Sequence, residues 1–233
     1  MSNDKKIEIN PHFFWLDLET TGLDPESDDV VLEVAVEVTN AKLNYVNQYH
    51  RVVLHKNLPQ MDPVVIEMHT KSGLFEDMKN GPTILPDAVE QDLLDFLAQY
   101  EGQLVLCGST IHFDRRFIRR YWKNVEARLY YRMVDVSSIK LLAKAWWDVQ
   151  TPKSEPAHRA LADVRASIEE LRHWRAEVFR KQPASRATVM DQVITRLEQT
   201  LLDMSDYHGN VETVTAALTA VAQVRKDRKA GLL

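Results

Sequence analysis

His12-Phe13-Phe14-Trp15-Leu16-Asp17-Leu18-Glu19-Thr20-Thr21-Gly22-Leu23 opens on an aromatic and aliphatic run and closes on a glycine turn. The run reads as a buried strand that the turn terminates. Because strand side chains alternate between faces, Asp17 and Glu19 project to the same side. Two like charges so close repel, and a sheet that keeps both ionised is most simply explained by a cation between them. Hard divalent ions prefer such oxygen ligands. An isolated Asp-x-Glu also fits a strand end carrying two solvated acids, so other segments must decide.

The second acid lies in Leu104-Val105-Leu106-Cys107-Gly108-Ser109-Thr110-Ile111-His112-Phe113-Asp114-Arg115-Arg116-Phe117. A short apolar run, a glycine turn and a helical pattern through Ile118, Tyr121 and Trp122 place Asp114 near a helix start at the top of a strand. Taken alone it could simply favour the helix dipole, with Arg115 or Arg116 as a surface partner. The third element is Glu155-Pro156-Ala157-His158-Arg159-Ala160-Leu161-Ala162-Asp163-Val164, where Pro156 ends a loop and Leu161, Val164, Ile168, Leu171, Trp174 and Val178 keep helical spacing. Five residues turn a regular helix by about 500°, so His158 and Asp163 do not share a face and His158 belongs on the entering loop or first turn. From there it could accept a proton from a water while Asp163 serves a metal. A lone loop histidine can equally be an idle exposed side chain.

Each of the three acid-bearing segments sits at a strand end or helix start, from which the acids can converge on one crevice. With His69-Thr70-Lys71-Ser72-Gly73-Leu74 and Tyr131-Arg132-Met133-Val134-Asp135-Val136-Ser137-Ser138 added, the ordered motifs resemble oligoribonuclease. That family is a branch of the DEDD-type 3′ to 5′ exonucleases with a histidine in the last motif. The similarity runs from about Phe13 to Phe179. The resemblance implies an α/β, ribonuclease-H-like exonuclease fold. It implies that Asp17, Glu19, Asp114 and Asp163 bind two ions, Mg2+ or Mn2+, and that His158 is the general base. Such ion pairs stand about 3.5 to 4 Å apart, activating water and stabilising the leaving oxygen. By the same resemblance Leu23 is an apolar wedge between the last two bases and His69 lies in a segment lining the substrate. Thr110, Arg132, Ser137 and Ser138 would gather around the 5′ phosphate of a very short oligonucleotide. Tyr131 and Arg132 would reach across from the second subunit of a homodimer. A planar guanidinium suits that grip on phosphate, although Arg132 could instead form a surface salt bridge.

The chain departs from the family pattern in three places. Thr20 replaces a methionine, giving Glu-Thr-Thr-Gly as in the proofreading exonucleases of DNA polymerases. The segment Asp62-Pro63-Val64-Val65 offers only aliphatics where the family has a stacking aromatic. Losing that stack would cost on the order of 1 to 3 kcal/mol per base. His112 and Phe113 replace smaller or more polar residues before Asp114, and Phe113 is expected either to supply the missing surface or to join the core. The expectation is hydrolysis of very short single-stranded RNA to nucleoside 5′-monophosphates. A DNA-trimming or proofreading exonuclease is the rival, and a nucleotide-binding module without turnover is the alternative from another class.

Composition sets the remaining bounds. A chain of 233 residues, 45% hydrophobic, has material for one core plus an appendage. Its net charge of −5 argues against broad capture of long nucleic acid, which a basic face usually serves. The single cysteine, Cys107, excludes an internal disulfide and a thiol-metal cluster. Residues 1–10 lack the apolar core of a signal peptide, and no run reaches the roughly 18 apolar residues of a membrane span, so a cytoplasmic location is expected.

Strands are expected at 12–17, 30–39, 45–54 and 104–107, the middle two as a hairpin about Asn40 to Asn44. Helices are expected at 62–70, 72–79, 86–100, 114–123, 137–147 and 158–180, giving a mixed central sheet flanked by helices. Trp146 and Trp147 end one helix and are assigned to the core, with a dimer contact as the alternative. The exonuclease domain is placed at 1–182 and a C-terminal helical extension at 183–233. In the extension Val189, Val193, Leu197, Leu201 and Met204 form one stripe, and Val211, Val214, Leu218, Val221 and Val224 another. With a turn at 206–210 they make a helical hairpin whose apolar faces need cover, from the catalytic domain, a dimer partner or a docking protein.

Overall fold

The computed structural model of the chain describes residues 8–147, 149, 157–179, 194–197 and 211–229. The first strand, β1 (Ile9–Thr20), is flanked in the sheet by β2 (Val31–Thr39) and β5 (Gln103–Gly108). Beyond β2 lie β3 (Tyr45–Val53) and the two-residue β4 (Thr83–Ile84), and β6 (Leu129–Asp135) closes the far edge. The order is β4-β3-β2-β1-β5-β6. The pairs β1–β2 and β2–β3 are antiparallel, whereas β1–β5, β5–β6 and β3–β4 are parallel. This is the mixed, helix-flanked sheet expected from the sequence.

Alternation along β1 divides the interior into two cores. Phe14, Leu16 and Leu18 face a cluster built with α3 (Pro86–Leu97), α4 (His112–Tyr121) and α5 (Lys123–Arg128). Trp15 faces the other way, with Ala35 and Cys107, against Val136 and Ala143 of α6 (Val136–Trp147) and Val164, Ile168 and Trp174 of α7 (Ala160–Glu177). Asp17 and Glu19 continue the Trp15 face, so the acid pair emerges where the α7-side core ends. The helices α1 (Pro63–Lys71) and α2 (Leu74–Asn80) join β3 to β4.

Several elements differ from the sequence reading. Helix α7 begins at Ala160, after His158, and ends at Glu177. Strand β4, helix α5 and strand β6 were not anticipated. The first two are too short for any periodicity to show, and β6 is an edge strand with Tyr131, Arg132 and Met133 exposed. Trp146 and Trp147 are not core residues: they are 65% and 41% exposed, because α6 turns Ala143 inward and leaves its larger apolar side chains outside.

The chain separates into two compact units, Met1–Val178 and Phe179–Leu233. The boundary at 182/183 lies outside the described residues. So does most of the expected helix at 187–204, of which a helical turn at 194–197 is described. The second helix of the extension spans Val211–Lys229. Among the described residues no helix is long and apolar enough to cross a membrane.

Candidate active site: an acidic crevice at the end of the central strands

Close backbone approach builds the floor of the site. A Cβ on Gly108, at the end of β5, would meet the Leu16 carbonyl oxygen at 2.8 Å, so glycine lets the two parallel strand ends close together. The chain then passes through Thr110, at φ 55°, into α4. Asp114, in the first turn of α4, accepts a hydrogen bond from the Leu18 amide at 2.9 Å, which ties the second acid between Asp17 and Glu19. Neither neighbouring arginine pairs with Asp114. Arg115 is buried on Glu126 and the Tyr130 carbonyl, and Arg116 reaches Asp24.

The third acid arrives from the opposite face. The Asp163 carboxylate accepts from the amides of Ala157 (3.0 Å) and Arg159 (3.2 Å), folding the entering loop back over the first turn of α7. His158 lies between those two amides with φ 52°, the left-handed region that a non-glycine residue occupies only when held there. Asp17, Glu19 and Asp163 each offer an oxygen within 4.8 Å of the others. With Asp114, His158, Leu18, Ser109, Thr110, Phe113, Ala166, Ser167 and Glu170 they line a crevice of about 350 Å³. Phe113 packs on Phe117 at 5.3 Å at the margin of the core and also forms crevice wall.

Electrostatics inside the crevice are strained. Burial pushes Asp17 well above the usual carboxylate range, and the charges of Asp114, Glu19, Asp163 and Glu33 push it further. Glu19 is raised to about 8, first by burial and then by Asp163 and Glu33, with Arg159 opposing. Asp114 is raised to about 7 by burial, against the relief given by the Leu18 amide, with Asp135 adding to the rise. Oxygen donors packed this closely fit a hard divalent cation, whose charge would remove the penalty that burial and repulsion impose.

The remaining candidates are dispersed. Leu23 is 75% exposed on the turn after β1, whose shape depends on Gly22: a Cβ there would stand 2.4 Å from the Asp29 carboxylate. Thr110 is on the crevice wall, with its hydroxyl 3.1 Å from that of Ser137, and Ser138 is exposed one residue further along α6. His69 departs from its expected place on the substrate-lining surface. It is fully buried beneath the site, with Nε2 2.9 Å from the Thr20 carbonyl oxygen and Nδ1 3.8 Å from Glu19 Oε2. Tyr131 and Arg132 sit on edge strand β6, the guanidinium 4.8 Å over the Tyr131 ring, and neither lines the crevice of its own chain.

Sequence reasoning passed over Glu33, Arg159 and Asp135. Asp135 accepts from the amides of Thr110 (3.0 Å) and Ser137 (2.9 Å), so one carboxylate organises that rim. Glu33 is 1% exposed and bound by Arg159. The signal for it was present in Val31-Leu32-Glu33-Val34-Ala35-Val36-Glu37-Val38, where two acids interrupt an otherwise apolar strand.

Comparison with known proteins agrees with this geometry. A family model of the RNase T type, described as Exonuclease, matches residues 14–171. An oligoribonuclease from Streptomyces griseus is 38% identical over 198 residues, covering 81% of this chain and 97% of that protein. One from Marinobacter nauticus is 40% identical over 187 residues, covering 77% and 99%. Among solved structures, exonuclease I from Methylocaldum szegediense superposes with a TM-score of 0.59 at 17% identity, over 85% of this chain and 46% of that one. The zinc-bound E. coli exonuclease I complex with single-stranded DNA gives 0.59 at 17%, over 83% and 45%. The chain thus spans less than half the length of these exonuclease I structures, and at this identity the likeness concerns the fold.

Proposed function

The chain belongs to the RNase T-type exonuclease family, in its oligoribonuclease branch, and on that basis we propose that it is a 3′ to 5′ exonuclease releasing nucleoside 5′-monophosphates from very short RNA. The observation that carries the reading is the meeting of Asp17, Glu19 and Asp163 within one ligand sphere, beside Asp114 and His158. Asp17, Glu19, Asp114 and Asp163 are the residues that would hold two Mg2+ or Mn2+ ions. When bound, such ions lower the pKa of an attacking water and offset the charge that develops on the departing oxygen.

The protein's own groups do the rest. His158 takes the proton of the attacking water, whose oxygen joins the terminal phosphorus as the bond to the penultimate 3′ oxygen breaks. Leu23, apolar and exposed, enters between the last two bases. Thr110, Ser137 and Ser138 present hydroxyls toward the substrate's 5′ phosphate. We assign Arg132 and Tyr131 to the crevice of a second protomer, which accounts for their absence from their own. Exposed Leu141, Leu142, Trp146 and Trp147 on α6, next to β6, supply an apolar surface for such a homodimer. Cytoplasmic action on RNA fragments belongs to the same proposal.

The DNA-exonuclease alternative rests on Thr20 and Thr21, but both are buried: the Thr20 hydroxyl donates to the Gly22 carbonyl at 2.6 Å, and the Thr21 hydroxyl donates to Asp29 at 3.1 Å and accepts from the Val30 amide. Both serve the turn. A length series of 5′-labelled RNA and DNA, with magnesium or manganese and with chelator, tests the reading. Dinucleotides of RNA should be consumed fastest and chelator should stop the reaction. Preference for long DNA would replace the assignment with a trimming exonuclease, and binding without cleavage would replace it with a binding module.

A further inference from the structure

Glu33 stands across from Glu19 in the β1–β2 register, yet its environment is opposite in character. Its carboxylate is filled by donors. His50 Nε2 lies at 2.7 Å, Arg159 Nη2 at 2.9 Å, Arg159 Nε at 3.2 Å and the Ala160 amide at 2.9 Å. Although burial raises its pKa, the hydrogen bonds from His50, Arg159 and Ala160 outweigh that effect and hold it below the usual range. A buried carboxylate bound in this way is a fixed anion with little capacity left for a metal.

The cation it holds is well placed. Arg159 directly follows His158, directly precedes α7, and donates its amide to Asp163. Its guanidinium also reaches Asp77 of α2 at 2.6 Å and the Ser72 carbonyl at 3.4 Å. One side chain therefore joins β2, the α1–α2 junction and the loop carrying the histidine. Apolar contacts of Val164 and Ile168 press α7 on the sheet, but apolar packing is tolerant of small axial slides. A forked guanidinium on a buried carboxylate is not tolerant, because both its nitrogens and the Ala160 amide must meet two fixed oxygens.

Resting on the exonuclease reading above, we propose that Glu33 is a positioning residue: through Arg159 and the Ala160 amide it fixes the left-handed His158 turn and the Asp163 carboxylate over the crevice, without itself binding metal or substrate. The clamp holds the second half of the site against the first. Without it the loop relaxes from its left-handed conformation, and His158 leaves the position from which it takes a proton.

The test compares full-length wild type, Glu33→Gln, Arg159→Lys and the double variant on an RNA dinucleotide with saturating magnesium, with thermal melts as the check of folding. Each single variant is expected to lose about 10- to 100-fold in kcat. KM should stay within about threefold. The double variant should lose no more than the worse single, as members of one unit do. Arg159→Lys keeps the charge but not the fork, so full activity in it would overturn the clamp. It also carries the test should Glu33→Gln not fold. Two further results overturn the proposal: kcat retained in folded Glu33→Gln, or losses that multiply in the double variant, which would show that Glu33 and Arg159 act independently. Wild type that cleaves no short oligonucleotide would instead sink the exonuclease reading.

Discussion

Stripping divalent metal should make the protein's stability fall steeply as pH rises, because the crevice folds most easily with its carboxyls protonated. Glu19 has a folded pKa of about 8 against an unfolded 4.5. Between those values the folded state binds the extra proton, so its stabilising contribution is complete below the unfolded pKa and is lost as pH climbs through the folded one. Integrated from about pH 5 to about pH 8, this one group costs about 3.5 kcal/mol. Asp17 and Asp114 shift in the same direction. Part of each shift is the others' charge, so the three do not add. For a chain of this size about 3.5 kcal/mol corresponds to roughly 7 to 14 °C in melting temperature. Calorimetric melts of chelator-treated protein across that pH range, beside Glu19→Gln, isolate the effect as a difference in slope. Millimolar magnesium or manganese should restore most of the loss at the alkaline end and little at the acid end, since protons and cations compete for the same oxygens. Parallel slopes for wild type and Glu19→Gln, or metal protection that is independent of pH, would refute the argument.

Asp114→Asn keeps an oxygen for the Leu18 amide but removes the charge, so melting should hold while cleavage drops by more than about a hundredfold in steady-state assays. His158→Gln should lower kcat by about 10² to 10⁴ at neutral pH, read from a pH–rate profile against wild type. Leu23→Ala removes an exposed wedge, so the melting temperature should stay put while KM for a dinucleotide rises by about tenfold, roughly the 1.4 kcal/mol that side chain would bury on a base. Trp146→Glu places a charge on the exposed face of α6, and sedimentation should show dimer giving way to monomer, with activity falling for want of the partner's Arg132.

What could be read from the sequence was whatever repeats with a short period. The apolar alternation of β1 fixed the facing of Asp17 and Glu19, and the spacing of Leu161, Val164, Ile168 and Leu171 identified α7. The placement of His158 at the entry to α7 was also legible, because five residues of helix cannot carry His158 and Asp163 on one face, although its left-handed backbone was not. What escaped depends on distant partners. Glu33 and Arg159 are 126 positions apart, and nothing local marks them as a pair. Strand β6 is an edge, so its exposed Tyr131, Arg132 and Met133 mask the pattern of a buried strand. His69 sits in a recognisable motif, yet only the packing of α1 against β1 reveals that it supports the Thr20 carbonyl from below. The exposure of Trp146 and Trp147 likewise follows from which side of α6 the small Ala143 takes, and a helical period alone does not say which stripe is inward.

The two buried acids on neighbouring strands show how the site separates structural charge from reactive charge. Glu19 and Glu33 are adjacent in register and both almost fully buried, but only Glu33 has its lone pairs satisfied by protein donors. Had Glu19 received a similar guanidinium, its charge would be neutralised in place and its affinity for a cation reduced. Arg159 is therefore where it lowers Glu19 by field alone while its donors are spent on Glu33 and Asp77. The fold keeps its cation one residue away from the acids that stay unsatisfied. That arrangement leaves the Asp17 and Glu19 carboxylates short of donors, while Asp163 is held by two amides, and it gives a divalent ion a large gain in free energy on entering between the three.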